Sequence, residues 1–166
     1  VFFQSIQGPT TQIGVSGIAV DYSNSNTIYI ATGDKDAGDS YSVGVYKSTD
    51  GGVTWNPTGT MGASNPSRAG DILIHPTNNQ ILWCATSSGI YRTINAGTTW
   101  SRVRLGDFSQ GSIRLKPNNP DVVYAVSDNA FYRSTNTGSS FTQITSGLPA
   151  ASSRLLLDVT PAKAEC

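Results

Sequence analysis

The 166-residue sequence is poor in charge of either sign, and what it has cancels: eleven Lys and Arg against eleven Asp and Glu. No run of basic residues forms a stripe, so the electrostatic footprint of a nucleic-acid or anionic-membrane binder is missing. Long apolar runs are scarce too. None approaches the ~20 residues that span a bilayer, and no membrane insertion is expected. The opening "VFFQSIQGP" lacks the charged start and long apolar middle of a signal peptide, so a soluble or already processed chain is expected. One histidine (His75), one glutamate (Glu165) and two cysteines (Cys84 and Cys166) provide neither a Cys/His metal cluster nor a disulfide framework. Phosphate-cradling loops and serine-nucleophile elbows are likewise absent. Cys84 sits in an apolar run, where a free buried thiol is the expected state.

What is present is glycine, 17 residues of it, among abundant Ser, Thr and Asn. Such a composition suits short strands joined by tight turns. The turns repeat: "STDGGVTW" at 48–55 returns as "TINAGTTW" at 93–100 and "STNTGSSF" at 134–141. Around them lie four recurring strands. Strand a is "GIAVDY", "DILIHP", "SIRLKP" and "LLDVTP", which places Ile18, Ile72, Ile113 and Leu157 in equivalent positions. Strand b is "TIYIAT", "ILWCAT" and "VVYAVS"; strand c is "GVYKST", "GIYRTI" and "AFYRST"; strand d starts at the aromatic that closes each turn. From Tyr46 to Tyr91 the repeat is 45 residues, and from Tyr91 to Tyr132 it is 41, the pitch of a four-stranded propeller blade. The expected fold is therefore all-β, a β-propeller segment of antiparallel four-stranded blades.

Each turn has a physical logic. The carboxylate of Asp50, or the amide of Asn95 and Asn136, can accept backbone N–H groups, while Gly52, Gly97 and Gly138 reach angles closed to other residues. Ser48 and its counterparts open the turn, and Trp55, Trp100 and Phe141 anchor it in the space between blades. The pattern S-x-D-x-G-x-T-W resembles the Asp-box, or BNR, repeat of sialidases, xyloglucanase-like glycoside hydrolases, sortilin-like receptors and many secreted bacterial propellers. The first copy matches fully; the others carry Asn for Asp, and the third also Phe for Trp. The resemblance implies a structural role for the Asp-box residues and a secreted or cell-surface location.

Phe3 precedes Ile18 by 15 residues, comparable with the 17 from Trp55 to Ile72, 13 from Trp100 to Ile113 and 16 from Phe141 to Leu157, so residues 1–9 read as strand d of a preceding blade. Blades follow at 15–60, 69–105 and 110–148, and 153–166 reads as the start of a next blade. Propellers generally need at least four blades. A segment of a larger propeller is expected, with the remaining blades of the same propeller, or a second copy of the chain, as partner.

In a propeller the a–b and c–d turns share one face, and the b–c and d–a connections share the other. The b–c connection of the first blade, with "GDKDAGDSYSV", carries nine extra residues, and the d–a connection after it, "NPTGTMGASNPSRAG", is also long. Enlarged loops are where scaffolds carry function. Asp34, Asp36 and Asp39 are candidate ligands for calcium, although the spacing only loosely follows a calcium loop. Tyr41 and Arg68 are candidate ligand contacts. The pairs Tyr46-Lys47, Tyr91-Arg92 and Tyr132-Arg133 repeat with the blade, which favours packing, and His75, equivalent to Lys116 and Thr160, is expected to be a solvent-facing turn residue.

Sialidase chemistry, as the resemblance defines it, needs a glutamate beside a tyrosine nucleophile, and Glu165 near the terminus nearly excludes a complete site. Xyloglucanase-like enzymes place a catalytic Asp just after strand b in a phrase similar to "YIATGDKD" and "YAVSDNAF", which marks Asp34 and Asp128 as weak catalytic candidates. Hydrolysis of a glycosidic bond needs two carboxyl groups flanking it, and in that family each comes from a different propeller. The reading favoured by sequence is thus a module that binds protein or glycan or serves as a scaffold. A part of a xyloglucanase-like hydrolase is the alternative, and a purely structural display repeat the second.

Overall fold

The computed structural model describes residues 13–35, 40, 42–148 and 155–161. Twelve strands form three separate four-stranded antiparallel meanders, and no helix occurs among the described residues. The first comprises β1 (Val15–Asp21), β2 (Asn24–Thr32), β3 (Val45–Ser48) and β4 (Asn56–Pro57). The second comprises β5 (Ala69–His75), β6 (Asn78–Thr86), β7 (Gly89–Thr93) and β8 (Ser101–Arg104). The third comprises β9 (Ser112–Lys116), β10 (Asn119–Val126), β11 (Phe131–Ser134) and β12 (Thr142–Ile144). Registers repeat: Ile28 lies opposite Ser48, Leu82 opposite Thr93, and Val123 opposite Ser134. The three sheets are blades of an open arc, in which β5 packs on β1 and β2, and β9 on β5 and β6.

The cores lie between sheets, because a blade four strands wide has two faces to bury and no helix to cover either. Between blades 1 and 2 sit Tyr29, Met61, Ile72, Leu82, Cys84 and Trp100. Between blades 2 and 3 sit Trp83, Ile90, Phe108, Ile113, Tyr132 and Phe141. Cys84 is a free, buried thiol, and burial pushes its pKa far up. Ile18 departs from its equivalents. It is 64% exposed where Ile72 is 1% and Ile113 0%; Ile72 packs against Gly17 of the preceding blade.

His75 corrects the expectation of a solvent-facing turn residue. Its side chain is buried, with its ring 6.1 Å from that of Trp83 and Nδ1 accepting the Thr77 N–H at 3.3 Å. Desolvation holds its pKa below the ordinary value, partly opposed by Asp121. Residues 155–161 carry no strand, but Asp158 Oδ1 reaches Arg114 Nε at 3.4 Å, across from the 2.8 Å pair of Arg114 Nη1 with Asp71.

Candidate functional site

The three quoted turns form one repeated hydrogen-bond cage at one end of the blades. In the first, Ser48 Oγ donates to Asp50 Oδ1 at 2.7 Å and accepts the Gly52 N–H at 2.8 Å. Asp50 in turn accepts the Thr54 N–H at 2.9 Å and the Thr54 hydroxyl at 2.6 Å. Thr93, Asn95, Gly97 and Thr99 repeat the cage, as do Ser134, Asn136, Gly138 and Ser140. Asn reproduces Asp because its Oδ1 takes the same N–H, while its Nδ2 donates to the hydroxyl that donated to the carboxylate, at 2.9 Å in Asn95 and 3.0 Å in Asn136. Trp55, Trp100 and Phe141, which close the turns, are all buried. With both carboxylate oxygens committed, Asp50 has no geometry for general acid–base work on a ligand.

Bonds to the Thr54 hydroxyl, the Thr54 N–H and the Ser48 hydroxyl hold the Asp50 pKa down at about 2, from an ordinary 3.8. A depressed pKa means that the cage stabilises the fold above about pH 4 and loses this contribution as pH falls through about 2. Asp50→Asn is therefore expected to fold normally, since blades 2 and 3 already use Asn. The difference in melting temperature between wild type and variant should change between about pH 4 and pH 2 and stay flat above; a constant difference across that window would mean that Asp50 does not titrate in the cage.

The opposite end carries the longer loops, and they meet. Ser42 N–H donates to the Ser67 carbonyl at 2.9 Å, and Asn65 Nδ2 to the Val43 carbonyl at 2.9 Å, so the two enlarged connections of blade 1 are bonded to each other. The second loop is then tied to blade 2. Ser87 N–H donates to the Arg68 carbonyl at 2.9 Å, Arg68 N–H to Ser87 Oγ at 3.2 Å, and the Ser67 and Ser87 hydroxyls lie 3.1 Å apart. Between them opens a groove of about 890 Å³, lined by residues 61–68 together with Ser87, Ser88, Tyr91, Trp100, Arg102 and Asp107.

Arg68, a sequence candidate, lies in this groove and pairs through Nη2 with Asp107 Oδ2 at 3.1 Å. The other Asp107 oxygen accepts the Ser109 N–H at 2.9 Å and the Ser109 hydroxyl at 2.6 Å, which fixes the carboxylate. Asp34 is half-buried in the b–c connection of blade 1, and Asp128 is exposed in that of blade 3, with blade 2 between them. Asp36, Asp39 and Tyr41 lie outside the described residues. No group of three or more His, Cys, Asp or Glu that could hold a metal occurs among the described residues. Sequence reasoning missed Arg102, Asp107 and the serines of the groove. The signal was a departure from the repeat: Arg102 stands where the other strands d have Pro57 and Gln143.

The chain is similar to parts of two xyloglucanases and of a solved GH74 enzyme. Xyloglucanase Xgh74A of Acetivibrio thermocellus is 38% identical over 98 residues, 54% of this chain and 12% of that protein, and a Paenibacillus sp. xyloglucanase is 32% identical over 98 residues, 54% of this chain and 10% of its own length. This chain thus spans about a tenth of the curated relatives it matches. Among solved structures, an ancestral GH74 enzyme superposes with a TM-score of 0.71 over 89% of this chain and 20% of that chain, at 22% identity, a likeness of fold. The family model described as "Sortilin, neurotensin receptor 3" matches residues 43–154. That match takes in the first Asp-box, the whole of blade 2 and the strands of blade 3, and with it the chain belongs to the Sortilin-Vps10 family as a β-propeller built of Asp-box blades.

Proposed function

We propose that the chain is a glycan-binding module within a larger secreted or cell-surface propeller. The observation that carries this reading is the groove of about 890 Å³ on the loop face, walled by residues 61–68 after blade 1 and by residues of blade 2, with the 61–68 connection bonded in turn to the other enlarged loop of blade 1. Its lining is rich in hydroxyls, amides and one fixed ion pair, donors and acceptors suited to sugar hydroxyls, and the bonds across it hold the walls in place before a ligand arrives. Titration calorimetry of the chain with xyloglucan and other cell-wall oligosaccharides is the test. Binding that a Ser88→Trp obstruction of the groove abolishes is the expected result; absence of binding across the set overturns the reading.

A second reading, part of a xyloglucanase-like hydrolase, is favoured by the relatives named above, each matched over 98 residues. Asp34 and Asp128 sit on different blades, not as a pair, so a catalytic role for either needs a second carboxyl group from elsewhere in the protein. Asp34→Asn and Asp128→Asn in the whole protein separate the two readings. Hydrolysis requires that one of them abolish cleavage with the melting temperature unchanged, whereas a binding module releases no reducing ends in any form.

A further inference from the structure

The geometry points to a carboxylate-bearing glycan as the ligand of the groove, received by Arg102; this rests on the glycan-binding reading above. Arg102 lies on β8 opposite Tyr91, next to a register shift at which Ile90 pairs with Arg104 and Tyr91 with Arg102. Such a shift re-aims the side chains beside it. The stem of Arg102 occupies the space left by Gly89, where a β-carbon would come within 2.9 Å of its Cδ. A stem held along the blade in this way directs the guanidinium at the groove that Arg102 lines.

The charges of the groove do not balance. Arg68 and Asp107 neutralise each other, and Asp107 spends its second oxygen on Ser109. Among the described residues the Arg102 guanidinium has no ion pair or hydrogen bond, which leaves one positive charge without a partner among the described lining residues. The guanidinium fork matches a carboxylate in two parallel charge-assisted bonds, and the hydroxyls of a neutral sugar bring no charge to balance the cation. Stacking offers no competing explanation at this place, because the two aromatic residues of the lining, Tyr91 and Trp100, are only 4% and 8% exposed and present no open ring face. The Ser88 hydroxyl, 3.2 Å from the Tyr91 hydroxyl, adds a polar group beside Tyr91 for the sugar hydroxyls.

The experiment measures binding of the whole chain to four probes by calorimetry: an oligogalacturonate, its methyl ester, a xyloglucan oligosaccharide and a glutamate-rich peptide. Oligogalacturonate should bind, and both methyl esterification and Arg102→Gln should weaken it by about tenfold or more, as expected for loss of a charge-assisted pair. Arg102→Lys should recover part of that loss, since it restores the charge without the fork. If Arg102→Gln lowers the melting temperature, the comparison of acid with ester on the wild-type chain decides alone. Equal affinity for acid and ester, or for oligogalacturonate and the neutral xyloglucan oligosaccharide, overturns the inference and leaves the glycan-binding reading standing. Failure of every oligosaccharide overturns both, and binding of the peptide alone does so in favour of an acidic protein ligand.

Discussion

Replacing Trp100 by alanine is expected to cost about 3 to 5 kcal/mol of stability, the range for truncating a large aromatic in a core that cannot collapse. Trp100 is buried in the cluster between blades 1 and 2, together with Tyr29, Met61, Ile72 and Cys84. Its indole N–H also donates to Thr58 Oγ1 of blade 1 at 3.1 Å. Truncation would therefore open a cavity at a junction and leave the Thr58 hydroxyl one partner short. Denaturant unfolding of wild type and variant, compared at the midpoint, measures the loss. A cost under about 1 kcal/mol would mean that the blades do not hold each other through this residue.

Gly138→Ala should cost about 3 kcal/mol or more, for two reasons that add at a single atom. The backbone of Gly138 has φ +68°, which an L side chain adopts only with strain. A β-carbon would also collide with Nε1 of Trp83, which belongs to the neighbouring blade and is fully buried. The indole has no room to retreat, since its other neighbours include the His75 ring. Unfolding of Gly138→Ala beside Gly147→Ala separates the two reasons, because Gly147 shares a positive φ of +76° but has nothing within 4 Å of an added β-carbon. Equal losses at both positions would remove the contact with Trp83 from the account.

The repeat made the blades legible because it is written in local chemistry: a hydroxyl, an amide or carboxylate two residues on, a glycine, then a ring. The hydroxyl, the amide or carboxylate and the glycine N–H find their partners within the same turn, as Ser48, Asp50 and Gly52 do, whereas the ring of Trp100 reaches beyond it. His75 was misread because its place at the a–b turn says nothing of the ring beside it, that of Trp83 on the paired strand β6. Loop lengths pointed to the face that carries the groove and to Arg68 in its lining. Arg102 and Asp107 were invisible to a search for what repeats, since each occurs in a single blade and meets its surroundings only through the fold.

The bond from Trp100 to Thr58 gives the drift of the third turn a meaning. The residue three after Trp100 in strand d is Val103, the counterpart of Thr58, and across the next junction the ring is Phe141. Indole meets hydroxyl at one junction; at the other, Val103 packs against the apolar cluster that contains Phe141. Exchanging the order of blades 2 and 3 would set Phe141 against Thr58, which would lose its donor, and Trp100 against whatever follows the third blade. Phe141 thus needs no hydroxyl across its junction, whereas Trp100 has one in Thr58, so the order of the blades decides whether that indole N–H is satisfied.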